Sequence, residues 1–124
     1  MKIQKILLVD DERHVRRIAE ISLSMVAQWS VTVAGSGAEA LEKAQEIPDL
    51  ILLDVRMPGM DGITTLRKLR ENPATAAIPV ILLTASTSEK DLEDASSLAV
   101  LGTILKPYSA VTLPDEILAL TANL

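Results

Sequence analysis

The sequence predicts an α/β fold: a five-stranded parallel sheet with five helices. Three observations carry this. Short apolar runs alternate with stretches of helical spacing, several of those runs are apolar without a break, and helix start and stop signals fall between them. The strand-like runs are 6–9, 31–34, 50–53, 80–83 and 103–105, all rich in branched residues. Strict alternation of apolar and polar residues marks a strand with one wet face, whereas a continuous apolar run fits a strand buried on both.

Helical spacing appears first at Val15, Ile18, Ala19, Ser22 and Met25, then at Ala40, Leu41 and Ala44. It returns at Ile63, Leu66 and Leu69, at Leu92 and Ala95, and at Ile117, Leu118 and Leu120. Ser36 followed three residues later by Glu39 is a capping box, in which the serine oxygen satisfies an orphan amide of the helix that follows. Pro48 closes that second helix and Asn72-Pro73 closes the third. Pro114 suits the first turn of the last helix, where a missing N–H costs nothing. The fourth helix, beginning near Ser88, has the poorest apolar stripe because Ser96-Ser97 interrupts it. Trp29 is expected to close the connection from the first helix to the second strand, and Tyr108 to pack near the end of the fifth strand.

Right-handed crossovers restrict how these elements can be wound. The expected arrangement is the flavodoxin-like doubly wound sheet, with strand order 2-1-3-4-5. A chain of 124 residues makes one domain, 1–124, with no internal repeat or linker. A domain of this size buries roughly two-thirds of the surface its unfolded chain exposes, so it needs no covalent or metal staples.

Composition removes several functions. With no cysteine, disulfides, thiolate metal sites and cysteine nucleophiles are excluded, as fits a reducing compartment. A net charge of −5, one Trp, one Tyr and no Phe leave neither the basic stripe nor the stacking platform of a nucleic-acid binder. The start of the chain is too short in apolar residues for a signal peptide, and no apolar run is long enough to span a membrane. The expected location is cytoplasmic.

Ligand sites in doubly wound folds lie beyond the carboxyl ends of the strands. There the first run delivers Asp10 and Asp11, the third Asp54, the fourth Thr84 and the fifth Lys106. Two unit charges 4 Å apart repel by about 4 kcal/mol at an effective dielectric near 20. Either one carboxylate takes a proton or a cation neutralises the group. A hard divalent ion meets the second condition, and Mg²⁺ is the one that retains waters and accepts phosphate oxygens. Lys106 is a compact charge suited to a phosphoryl oxygen, and the Thr84 hydroxyl can donate to another. One of the aspartates can act as nucleophile.

Four segments now resemble a known family, the receiver domains of two-component response regulators. They are Ile6-Leu7-Leu8-Val9-Asp10-Asp11-Glu12, Leu53-Asp54-Val55-Arg56-Met57-Pro58-Gly59-Met60-Asp61-Gly62, Leu83-Thr84-Ala85 and Leu105-Lys106-Pro107-Tyr108. The likeness covers essentially the whole chain, and its closing stretch looks like that of chemotaxis-type single-domain members. It implies that Asp54 is the phosphoacceptor, served by a histidine kinase or phosphotransfer protein and often by small phosphodonors. It implies that Asp11, Asp54 and the backbone carbonyl of Arg56 bind Mg²⁺ directly and that Asp10 acts mainly through water. Thr84 and Lys106 would contact the phosphoryl group, Lys106-Pro107 would be a cis peptide, and Arg56 and Ser86 would tune hydrolysis. The product would be a signalling phosphoacceptor rather than an enzyme. It would be a monomer or a phosphorylation-dependent dimer that switches an effector or fused output domain through the face of helix 4, strand 5 and helix 5. One position departs from the pattern: three residues before the lysine the family usually has Tyr, Phe or His, and here stands Thr103. Switching is therefore expected to run through backbone and loop movement.

Blander and rival readings stand beside these. Asp10 and Asp11 could cap the first helix. His14, the only histidine, fits an exposed helix residue better than a phosphorelay donor. Arg13, Arg16 and Arg17 fit either a solvated face or a docking surface. A haloacid-dehalogenase-like phosphatase would need a second aspartate two residues after its nucleophile, yet Glu12 follows Asp10 and Arg56 follows Asp54 at that spacing. A pseudo-receiver working without phosphorylation is disfavoured by the complete acceptor set.

Overall fold

The computed structural model describes residues 2–85 and 97–124. Its elements in chain order are β1 (Lys5–Val9), α1 (Arg13–Ile21) continuing into a π-helical turn (Ser22–Val26), β2 (Ser30–Ala34) and α2 (Gly37–Lys43) with a 3₁₀ turn (Ala44–Glu46). There follow β3 (Leu50–Asp54), α3 (Gly62–Glu71), β4 (Val80–Thr84), β5 (Gly102–Leu105) and α4 (Leu113–Thr121). The five strands form one sheet in the order β2-β1-β3-β4-β5, and every neighbouring pair is parallel. The expected order and strand positions hold. The helix anticipated from Ser88, with Leu92 and Ala95, lies outside the described residues, so α4 is the last of the helices read from the sequence.

The unbroken apolar runs acquire a physical explanation here. β3 and β4 are buried along their full length. Their side chains alternate between two core layers. Ile51, Leu53, Val80 and Leu82 join Leu7 and Val9 under α2 and α3, where Ala40, Ile63, Leu66 and Leu69 meet them. Leu50, Leu52, Ile81 and Leu83 join Ile6 and Leu8 on the other side, against Ala19 and Leu23 and against Leu113 and Ile117 of α4.

Helix ends follow the sequence signals. Ser36 Oγ accepts from Glu39 N at 3.2 Å, and the Glu39 carboxylate pairs with Lys43 Nζ at 3.0 Å. Asp61 caps α3, accepting from Thr64 N at 2.8 Å, and Asn72 ends that helix. Pro114 lies in the first turn of α4. Trp29 closes the α1–β2 connection: its N–H donates to Leu23 O at 3.1 Å and its ring packs on the core.

The inward face of α1 needs a correction. Ala19, Ser22 and Leu23 are buried, whereas Ile18 and Met25 are 52% and 74% exposed. For Met25 the π-helical turn is the reason, because its extra residue per turn rotates Met25 and Val26 off the 3.6-residue stripe; Ile18 precedes that turn and lies at the edge of the buried face. Ser22 Oγ donates to Ala110 O across the gap to the segment before α4, and Ser24 Oγ bonds back to Glu20 O at 2.7 Å.

Arg70 is a second non-local tie. Its guanidinium donates to the carbonyls of Ala76, Ile78, Leu98 and Ala99 at 2.8–3.3 Å, pinning the turns that lead into β4 and β5 to α3. Burial lowers its pKa, with no ordinary consequence for a group so strongly basic.

Gly62 fixes how closely α3 approaches the end of β3. A Cβ here would lie 2.0 Å from the Asp54 carbonyl oxygen and 2.7 Å from Val55 Cα. Both obstacles are backbone and cannot rotate away. Gly62→Ala should therefore destabilise the fold by about 1–3 kcal/mol, read as a lower urea midpoint at unchanged slope. A midpoint equal to that of the unsubstituted protein would show that the approach is not constrained.

Candidate functional site

Parallel registry brings the ends of β1, β3, β4 and β5 to one edge. Val9 lies opposite Leu53, so Asp10 and Asp11 emerge beside Asp54, the last residue of β3. Thr84 ends β4 opposite Leu105, and Lys106 N donates to Thr84 O at 2.7 Å. Asp10, Asp54 and Thr84 are buried. Ligand oxygens of Asp10, Asp11 and Asp54 all lie within 4.8 Å of one another.

Lys106 sits among these carboxylates with its side chain only 9% exposed. Its Nζ lies 3.1 Å from Asp54 Oδ2, 2.9 Å from Asp10 Oδ2 and 3.6 Å from Glu12 Oε1. The Asp54 contact is a hydrogen bond. The Asp10 contact is ionic: Oδ2 is buried and has no aligned hydrogen-bond donor. The remaining oxygens orient the pair, Asp10 Oδ1 accepting from Glu12 N at 2.9 Å and Asp54 Oδ1 from Arg56 N at 3.1 Å. Asp10 thus holds the turn before α1 with one oxygen and faces the cluster with the other; it does not cap the helix, whose N-cap is Glu12.

Burial raises the Asp54 carboxyl to about 6, against the pull of the Lys106 ammonium, with the Asp10 charge adding to the rise. For Lys106, burial alone would lower the pKa, but the Asp10 and Asp54 carboxylates outweigh it and raise it. The Tyr108 phenol is pushed up to about 12, first by burial and next by the charge of Asp10.

One ammonium cannot neutralise three carboxylates. The donors are all hard oxygens, and a buried Asp10 oxygen has coordination capacity left. A divalent cation of the Mg²⁺ kind fits this set.

Other candidates lie elsewhere. His14 is exposed on α1, in a hollow of about 320 Å³ shared with Arg13, Arg16, Arg17 and Glu20, and does not join the cluster. Arg16 is structural in part, since its guanidinium donates to the Asp10 carbonyl at 2.9 Å. Thr103 is exposed on β5, and Ser86 lies outside the described residues. The Lys106-Pro107 peptide is cis. Sequence reasoning missed Glu12 as a neighbour of Lys106 and the buried hydroxyl of Tyr108. A phenol where a plain aromatic would pack equally well was the available signal for the second.

Comparison with known proteins gives a consistent result. A family model described as the response regulator receiver domain matches residues 6–118. Response regulator PleD of Caulobacter vibrioides is 39% identical over 118 residues, covering 94% of this chain and 26% of PleD. The probable transcriptional regulator ycf27 of Cyanophora paradoxa is 40% identical over 118 residues, covering 94% of this chain and 48% of the relative. The chain therefore spans about a quarter to a half of these relatives' lengths. Among solved structures, chemotaxis protein CheY4 of Vibrio cholerae superposes with a TM-score of 0.87 at 30% identity, covering 96% of this chain and 99% of that one. A putative response regulator from Chloroflexus aurantiacus gives 0.85 at 29% identity, covering 98% and 100%.

The strain of burying Asp54 is measurable. Its carboxyl titrates near 3.8 when unperturbed and at about 6 in the fold. The fold thus favours the protonated form, a preference fully felt below about pH 4 and lost as pH rises through about 6. At pH 7 the ionised group costs the metal-free protein on the order of 1–3 kcal/mol. Asp54→Asn should melt higher than the unsubstituted protein at pH 7 in chelator, with the gap closing toward pH 4. A variant that melts lower at pH 7 would mean that the Lys106 pairing outweighs burial.

Proposed function

The chain belongs to the response regulator receiver family, and from that premise we propose that it is a single receiver domain, 1–124, whose Asp54 accepts a phosphoryl group in a Mg²⁺-dependent reaction. Receivers are signalling phosphoacceptors rather than classical enzymes. The observation that carries the reading is Lys106, its side chain 9% exposed and in contact with both Asp10 and Asp54 at the edge where the strands end.

In the proposed reaction a carboxylate oxygen of Asp54 attacks phosphorus. The P–N bond of a phosphohistidine, or the P–O bond of a small acyl phosphate, breaks with its electron pair leaving on the donor, and an aspartyl phosphate forms. Lys106 follows the charge onto a phosphoryl oxygen, and the Thr84 hydroxyl donates to another. The backbone N–H of Arg56 orients the acceptor carboxylate. Asp11, Asp54 and the Arg56 carbonyl would hold Mg²⁺, with Asp10 acting through water. When bound, the ion supplies positive charge to the carboxylates and the transferring phosphoryl oxygens. Water later attacks phosphorus, the bond to the Asp54 oxygen breaks, and inorganic phosphate leaves.

The donor in this reading is a histidine kinase or phosphotransfer protein in the cytoplasm. No helix among the described residues is long and apolar enough to cross a membrane. The output is a partner protein or a fused domain, reached through the face built by β5, α4 and the helix expected from Ser88, as a monomer or a phosphorylation-dependent dimer. Thr103 presents too little area on β5 to act as the inward-turning aromatic of other members, so backbone and loop movement carry the change.

Acetyl phosphate with Mg²⁺ should label the protein, and Asp54→Asn should abolish the label. Undiminished labelling of that variant would remove Asp54 from its role. Calorimetric titration should show Mg²⁺ binding before phosphorylation. Asp10→Ala should weaken it about tenfold, the low end for a partner acting through a bound ligand, and Asp11→Ala should weaken it further. Equal affinities in all three proteins would contradict this ligand assignment.

A further inference from the structure

Tyr108 follows the cis Lys106-Pro107 peptide and packs against the core layer beneath α1 and α4. It lines a hollow of about 370 Å³ with Glu12, Val15, Ile18, Ala85 and Lys106, beside the acidic edge. Phenylalanine would serve for packing alone. The hydroxyl is buried and has no hydrogen-bond partner, an arrangement that carries a desolvation cost with no return in the resting state.

Among the described residues one other buried side-chain oxygen shares that condition, and it is Asp10 Oδ2. The two are complementary. The phenol keeps its proton at neutral pH and donates, while the carboxylate oxygen accepts. They also belong to one site, since Tyr108 lines its hollow with Lys106 and Glu12, the two residues that meet the carboxylate oxygens of Asp10 at 2.9 Å.

Asp10 Oδ2 is compensated in the resting state by Lys106 at 2.9 Å, and the same ammonium holds Asp54 Oδ2 at 3.1 Å. A phosphoryl group on Asp54 would compete with Asp10 for this ammonium. A buried carboxylate left short of donors is costly and loses its orientation. We propose that Tyr108 is a positioning residue of the acceptor site, its hydroxyl donating to Asp10 Oδ2 once Lys106 is drawn onto the phosphoryl group. This rests on the reading of Asp54 as phosphoacceptor. The exchange leaves Asp10 oriented and gives the orphan hydroxyl its partner only in the occupied state, so it favours that state over the resting one.

The chain has a single tyrosine, so protein carrying ¹³Cζ-tyrosine gives one resonance. Beryllofluoride with Mg²⁺ serves as the phosphoryl probe, and ¹⁹F NMR reports its occupancy. On saturation the Tyr108 Cζ resonance should shift, and the hydroxyl proton should become slow to exchange and show a cross-peak to the Asp10 Hβ protons. Tyr108→Phe should bind beryllofluoride about three- to tenfold more weakly, the worth of one hydrogen bond, with a metal-free melting temperature equal to or above that of the unsubstituted protein. A bound ¹⁹F signal with an unmoved Tyr108 resonance, or equal affinity of Tyr108→Phe, overturns the proposal and leaves the phosphoacceptor reading standing. No bound ¹⁹F signal at saturating probe overturns that reading, and the proposal with it.

Discussion

Lys106 Nζ holds 2.9 Å from Asp10 and 3.1 Å from Asp54 while almost sealed from water. Acids so close together at the end of a buried sheet repel strongly, and a single ammonium relieves only part of that repulsion. The site is therefore held short of neutrality. The charges are arranged in advance, and the arrangement is paid for by the apolar sheet beneath it. Burial, which raises Asp54, and the lysine, which opposes the rise, act on the same few atoms.

The sheet supplies the rigidity that this poise needs. β3 and β4 bury every residue, so a one-residue slip would exchange the two core layers and is strongly opposed. Their fixed register is what delivers Asp54 and Thr84 to the same height as the residues that follow β1 and β5. Gly62 then lets α3 begin directly over the Asp54 carbonyl, so the loop from Val55 to Asp61 is closed at both ends by backbone contacts.

Away from the edge, single polar side chains tie the elements together. Arg70 gathers four carbonyls from the turns before β4 and β5, and Ser22 joins the π-helical turn after α1 to the segment before α4. Such ties are few and directional, unlike the apolar layers, and they connect the flanks of the strand that carries Lys106. A change at the acidic edge thus meets a defined set of restraints on its way to β5 and α4.

Much of this was legible in the chain alone, because it is local. Continuous runs such as 50–53 and 80–83 announce buried parallel strands, Ser36 and Glu39 announce a helix start, and a charged or hydroxyl residue after each run marks the edge where chemistry collects. That Asp10, Asp11, Asp54, Thr84 and Lys106 gather at one edge was readable for that reason. The facing of α1 was not, because spacing assumes 3.6 residues per turn, and the π-helical turn at Ser22 turned Met25 outward. Nor were the partners of Lys106 and the isolation of the Tyr108 hydroxyl. Those depend on which side chains share one small volume once four strands are in register, a property of distances between residues far apart in sequence that only the packed structure decides.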